Sequence, residues 1–141
     1  MAYIPSALRE EVVERAQHRC EYCQSPELVT GGPLHIEHIF PEALGGLTTP
    51  DNLALSCARC NLQKGVRTYH RDPVSERLVL LFNPRTQKWL RHFIWMGNGT
   101  HIQGRTQTGR ATVSALNMNH PTIVRARGMW ISLGIHPPSD R

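Results

Sequence analysis

The residues able to do chemistry are concentrated between positions 20 and 65, CEYCQSPELVTGGPLHIEHIFPEALGGLTTPDNLALSCARCNLQKG. Two Cys-x-x-Cys pairs, Cys20/Cys23 and Cys57/Cys60, close its two ends. His35, Glu37 and His38 lie between them, Asn52 follows, and Asn61 comes directly after the last cysteine. Two knuckles of paired thiolates are what a tetrahedral zinc ion needs, and four thiolates leave it no open position, so such a zinc is structural. A redox dithiol and four unrelated buried cysteines are the competing readings. The matched spacing and the absence of a fifth cysteine argue against both. Histidine offers a proton acceptor near neutrality, glutamate and asparagine offer hard oxygen ligands, and an amide can pin a loop.

Local elements must position these groups. Pro5 and Ser6 precede ALREEVVERAQHR, which reads as a helix with Ser6 as N-cap and Leu8, Val12, Val13 and Ala16 as its apolar stripe. Residues 34–39 read as a short strand stopped by Pro41, residues 43–52 as a loop with Gly45-Gly46, and residues 52–56 as a second strand. Residues 57–64 read as a helix ended by Gly65. Beyond it come a polar link over 66–76, an apolar run at 78–82, and a strand over 89–96. Gly97-Asn98-Gly99 turns that strand into a hairpin with 100–104. Thr108 is placed to cap a helix over 109–117, and Asn119-His120-Pro121 opens a final helix running to about 133. Trp89, Trp95 and Trp130 sit in apolar runs and are expected in the core, and the tail from His136 is expected to be loose.

The order and spacing of Glu37-His38-Ile39, Pro41, Gly45-Gly46, Asn52-Leu53 and Cys57-x-x-Cys60-Asn61-x-x-Lys64-Gly65 resemble those of the HNH endonucleases. That resemblance covers residues 20–65 and implies a ββα-metal motif, the strand, loop, strand and helix already read from the local pattern. It implies that His38 is the general base that activates water against a phosphodiester. Glu37 and Asn61 would bind one Mg²⁺ or Mn²⁺, and Asn52 would fix the strand that carries His38. Products with 5′-phosphate and 3′-hydroxyl ends are implied with it. The family often has Asp where Glu37 stands and His where Asn61 stands. Lys64 shares a helical face with Asn61 and either touches the substrate phosphate or faces solvent. His35 is on the same side of its strand as Glu37, a candidate additional ligand or a support behind one. Neighbouring strand residues point to opposite faces, so Glu37 and His38 share one site only where the strand bends. Taken singly, each of these residues has an ordinary structural use; their joint order between the cysteines is what points to chemistry.

Charge divides the chain. Residues 1–61 hold four Lys/Arg against eight Asp/Glu, net −4, and residues 62–141 hold twelve against three, net +9, which together give the +5 of the whole. A basic second half suits a polyanion, with a solvated basic surface as the plainer reading. Arg67, Arg71, Arg85, Lys88, Arg91, Arg105, Arg110, Arg125 and Arg127 are the candidate phosphate contacts, and the predominance of arginine suits bidentate binding.

The expected architecture is α+β: a zinc-clamped ββα-metal motif with an N-terminal helix over residues 1–65, then a basic extension over 66–141 with a β-hairpin plus helices that packs on it. The expected partner is DNA rather than RNA, with Zn²⁺ as structural and Mg²⁺ or Mn²⁺ as catalytic cofactor. One such site cuts one strand, so a double-strand break needs a homodimer or two successive nicks. No signal-peptide pattern and no run of about eighteen apolar residues is present, so a cytoplasmic protein without a membrane partner is expected. Reduced thiols in that compartment favour a metal over disulfides. Two rivals remain: a zinc-dependent nucleic-acid-binding module without cleavage, and a zinc-ribbon protein that docks another protein.

Overall fold

The first helix, α1 (Ser6–Arg15), buries Val12 completely and is followed by the equally buried Ala16. Pro5, not Ser6, takes the N-cap position, and no side chain caps the helix. The Pro5 carbonyl accepts from the Arg9 N–H at 3.0 Å, which places Ser6 inside the first turn. At the other end Arg15 donates to the carbonyls of Pro50 and Leu53, each at 2.8 Å, and so ties the helix to the start of the second strand. These contacts come from a computed structural model, which describes residues 3–139. The chain divides into two compact units: one runs to Thr68 and includes Asn83–Arg85, and the other comprises Tyr69–Phe82 and the chain from Thr86 onward.

In the first unit β1 (His35–His38) pairs antiparallel with β2 (Leu53–Ser56), His35 opposite Ser56 and His38 opposite Leu53. Every residue of β2 is buried, because α1 packs on this strand and β1 flanks it. The connection between the strands folds back tightly at Gly46. A Cβ there would lie 1.8 Å from the Phe40 carbonyl oxygen, so only glycine closes this loop. Helix α2 (Ala58–Lys64) follows β2 at once and packs on β1. Cys57 is its N-cap, and Gly65 ends it in the left-handed region at φ 53°. The mixed α+β fold with small hairpins thus appears as expected, with the strand, strand, helix order intact.

The second unit contains two hairpins and the remaining helices. Residues 66–76, expected as a polar link, hold β3 (Tyr69–Arg71), which pairs with β4 (Leu78–Leu80). Asp72 organises the turn between them: its carboxylate accepts from the N–H groups of Val74 (3.1 Å) and Ser75 (3.2 Å) and from the Ser75 hydroxyl (2.7 Å). The strand expected over 89–96 splits into a helical turn, α3 (Trp89–His92), and β5 (Phe93–Met96). Helical spacing brings the Trp89 ring over that of Phe93, centroids 5.0 Å apart, and buries both. β5 pairs with β6 (His101–Gly104) across the Gly97–Gly99 turn. Thr106, not Thr108, caps α4 (Gln107–Ala115) by accepting from the Gly109 N–H at 3.0 Å. Helix α5 (Pro121–Ser132) completes the unit. Trp95 and Trp130 are half-buried, not fully in the core, and both pack edge-on against His136, at 4.6 and 5.7 Å. His136 is itself buried, so the tail is held at this point, while residues 140 and 141 lie outside the described residues. Among the described residues no helix is long and apolar enough to cross a membrane.

Candidate functional site

The four cysteines converge. All are buried and free of disulfides, and their sulfur atoms all lie within 4.8 Å of one another. Each knuckle curls so that its second backbone N–H points at its first sulfur, Cys23 to Cys20 at 3.5 Å and Cys60 to Cys57 at 3.4 Å. The sulfurs of Cys23 and Cys57 stand 3.6 Å apart. Zinc–sulfur bonds of about 2.3 Å in a tetrahedron put sulfurs roughly 3.8 Å apart, close to the Cys23–Cys57 separation, so this group could hold zinc. Burial pushes the Cys20 thiol up, whereas hydrogen bonds from Cys20, Cys57 and Cys60 pull the Cys23 thiol down. A buried cluster of four sulfurs is suited to a cation.

The residues inside the first knuckle reach out of it. Glu21 exchanges two bonds with Leu55 of β2: its N–H donates to the Leu55 carbonyl at 2.8 Å, and its Oε2 accepts from the Leu55 N–H at 2.9 Å. Arg85 donates to the other oxygen of the Glu21 carboxylate. Tyr22, fully buried, donates its hydroxyl to Oε1 of Glu37 on β1. Lys64, also buried, stands 3.4 Å from Oε2 of Glu37 and donates to the Ile39 carbonyl at 3.0 Å. Burial raises the Glu37 carboxyl above its ordinary value, and Lys64 and then Tyr22 work against that rise. Burial also pushes the Tyr22 phenol up, with the Glu37 charge adding to it.

His38 is the last residue of β1. Glu37 faces Ala54 and His38 faces Leu53 in unbroken register, and the ladder continues through Ile39 N–H to the Asn52 carbonyl at 2.8 Å. The ladder therefore runs through both residues, with Glu37 buried and His38, at the last position of the strand, half-buried. Nε2 of His38 is 2.9 Å from the Thr48 hydroxyl, and Nδ1 has no partner among the described residues. Asn52 braces the loop that carries Thr48. Its Oδ1 accepts from the Phe40 N–H at 2.9 Å, and its Nδ2 donates to the carbonyls of Phe40 (3.1 Å) and Leu47 (2.8 Å). Asn61 is half-buried on α2, and its side-chain amide has no hydrogen-bond partner among the described residues. His35 is exposed at the start of β1.

A buried four-cysteine group thus holds a β-hairpin and a helix that carry Glu37, His38, Asn52 and Asn61. Residues 20–67 match the family model described as HNH endonuclease. These residues form an HNH endonuclease domain; residues 68–141 lie outside the match. No curated protein and no solved structure is matched.

The cationic side chains expected to meet phosphate have diverse surroundings. Arg67, Arg71, Lys88, Arg91, Arg105 and Arg125 are exposed. Arg110 is not a free cation: it makes a two-point contact with Asp72, Nε at 2.9 Å and Nη2 at 2.8 Å, and holds that carboxyl well below the usual carboxylate range. Arg127 is wholly buried and donates to the carbonyls of Met118 (2.6 Å) and Thr100 (2.9 Å) and to Oδ1 of Asn119 (3.3 Å). Its guanidinium is a structural cross-link of the second unit. Lys64, for which a phosphate or solvent was expected, has neither: it is shut inside the HNH domain against Glu37. Two residues at the site had no separate reading in the sequence, Tyr22 and Thr48. Tyr22 carried a signal, an aromatic ring with a polar tip set between two metal ligands, whereas Thr48 carried none.

Proposed function

We propose that this protein is a metal-dependent endonuclease that hydrolyses phosphodiester bonds of DNA and leaves 5′-phosphate and 3′-hydroxyl ends. The HNH match over residues 20–67, on a hairpin whose His38 keeps one ring nitrogen without a partner, carries this reading. The family implies a nucleic-acid substrate. His38 acts as the general base. With the Nε2 proton donated to Thr48, the Nδ1 lone pair is left to take a proton from water. That water forms a new P–O bond while the bond to the 3′ oxygen breaks. Asn52 keeps the loop closed behind the imidazole, a positioning role.

Glu37 and Asn61 fit a divalent cation by the chemistry of their donors. The Asn61 amide has no partner among the described residues, and a carboxylate with about four lone-pair sites has given only one contact from each oxygen. Hard oxygen donors suit Mg²⁺ or Mn²⁺. The chemistry such a cation supplies is neutralisation of charge on the scissile phosphate and on the leaving oxygen. Lys64 supports Glu37 from the interior, and the four cysteines hold a structural zinc. The exposed residues Arg67, Arg71, Lys88, Arg91, Arg105 and Arg125 supply the surface that grips the phosphate backbone.

The test is conversion of supercoiled plasmid to nicked circles as Mg²⁺ or Mn²⁺ is added to protein that retains its zinc. Nicking that rises and saturates with added metal is expected. Salt-sensitive DNA binding without nicking at any metal concentration would replace this reading with that of a zinc-dependent binding module.

A further inference from the structure

We infer that Tyr22, a residue of the zinc knuckle, is a positioning residue for the cation site: its hydroxyl fixes the rotamer of Glu37. The inference rests on the reading of Glu37 as a cation ligand. Tyr22 has little freedom of its own. Its ring is fully buried, and the residues two before and one after it, Cys20 and Cys23, belong to the sulfur cluster. Glu21, directly before it, is locked to Leu55 by bonds at 2.8 and 2.9 Å. The phenol therefore meets Oε1 of Glu37 from a fixed point, while the Lys64 ammonium meets Oε2 at 3.4 Å. One anchor per oxygen sets the plane of the carboxylate and leaves a lone pair on each oxygen for a metal. The knuckle thus spans both strands, Glu21 on β2 and Tyr22 on β1, and carries the order of the zinc cluster to the carboxylate. A glutamate ordered before binding does not have to be ordered by the cation, and groups behind a ligand typically tune affinity by about 10- to 100-fold.

Tyr22→Phe removes the hydroxyl and keeps the ring. Mn²⁺ binding by the full-length zinc-loaded protein, followed by loss of the free-ion signal in electron paramagnetic resonance, reads the site without any need for activity. Glu37→Gln is measured beside it. The expected result is an unchanged zinc content in Tyr22→Phe with Mn²⁺ bound about tenfold or more weakly, and a still greater loss in Glu37→Gln. Wild-type affinity in Tyr22→Phe, with affinity lost in Glu37→Gln, overturns the positioning role and leaves the cation site standing. Wild-type affinity in Glu37→Gln overturns the cation site itself and the positioning role with it.

A second measurement covers the case in which Tyr22→Phe fails to hold zinc. The chain has three tyrosines, and Tyr3 and Tyr69 are exposed, so a variant carrying Tyr3→Phe and Tyr69→Phe leaves Tyr22 alone. With 3-fluorotyrosine incorporated, its fluorine resonance is expected to shift and saturate as Mg²⁺ is added. A resonance that stays fixed through concentrations that support nicking overturns the inference.

Discussion

Arg125 and Arg127 lie two residues apart on α5 and serve opposite ends. Arg125 is exposed, whereas Arg127 is buried with its nitrogens on two backbone carbonyls and the Asn119 side chain. Replacing Arg127 with Ala strands those acceptors and is expected to cost about 2–4 kcal/mol in urea unfolding. Arg125→Ala is expected to stay within about 0.5 kcal/mol of the parent. It should instead lower the slope of log DNA affinity against log salt by about 1. Both arginines read alike in the sequence, because their difference is made by Asn119 and by carbonyls of Thr100 and Met118 that only the fold brings near. Asp72 gives a residue-scale test of another kind. Arg110 depresses its folded-state pKa, so the folded carboxylate gives up its proton more readily than the unfolded one, whose ordinary value is about 3.9. Stability from this pair is therefore complete above that value and is lost as pH falls from it toward the depressed folded value. Asp72→Asn should melt below wild type near neutral pH, with the gap closing progressively below about pH 4.

At the scale of elements, the strand, loop, strand and helix between the cysteine pairs could be read in advance because several local signals agreed. Two knuckles, Pro41, the paired glycines and the Gly65 stop all punctuate the same arrangement. The second half offered no comparable agreement. The β3–β4 hairpin hides in a polar stretch whose order comes from one carboxylate, Asp72. The turn at Trp89 depends on ring packing that periodicity cannot show. Within the site, the order of the motif indicated which residues to watch but not their depth: Lys64 was read as facing outward and is sealed against Glu37. Two substitutions test the elements themselves. Cys57→Ser takes one sulfur out of the buried four-cysteine group while leaving a hydroxyl able to cap α2. Zinc content should fall, and the melting temperature should drop by roughly 10 °C or more, an unchanged melt counting against zinc. Asn52→Ala frees three hydrogen bonds of the loop behind His38. It should cost about 1–3 kcal/mol by thermal or urea unfolding and lower nicking without loss of zinc.

For the whole molecule, chemistry and charge lie in different parts of the chain. The HNH domain occupies a stretch that is acidic on balance, and the excess of positive charge comes after residue 61. A basic second half suits a polyanionic partner. The claim that joins them is that His38 takes the proton in a metal-dependent cleavage. It is tested most directly by supercoiled-plasmid nicking in Mn²⁺ or Mg²⁺, with the intact protein and His38→Ala prepared and assayed in parallel. A fall of about 100-fold or more in the variant, with zinc content, melting temperature and DNA binding retained, is the expected result. Equal nicking by both proteins would contradict the assignment of His38 as the base.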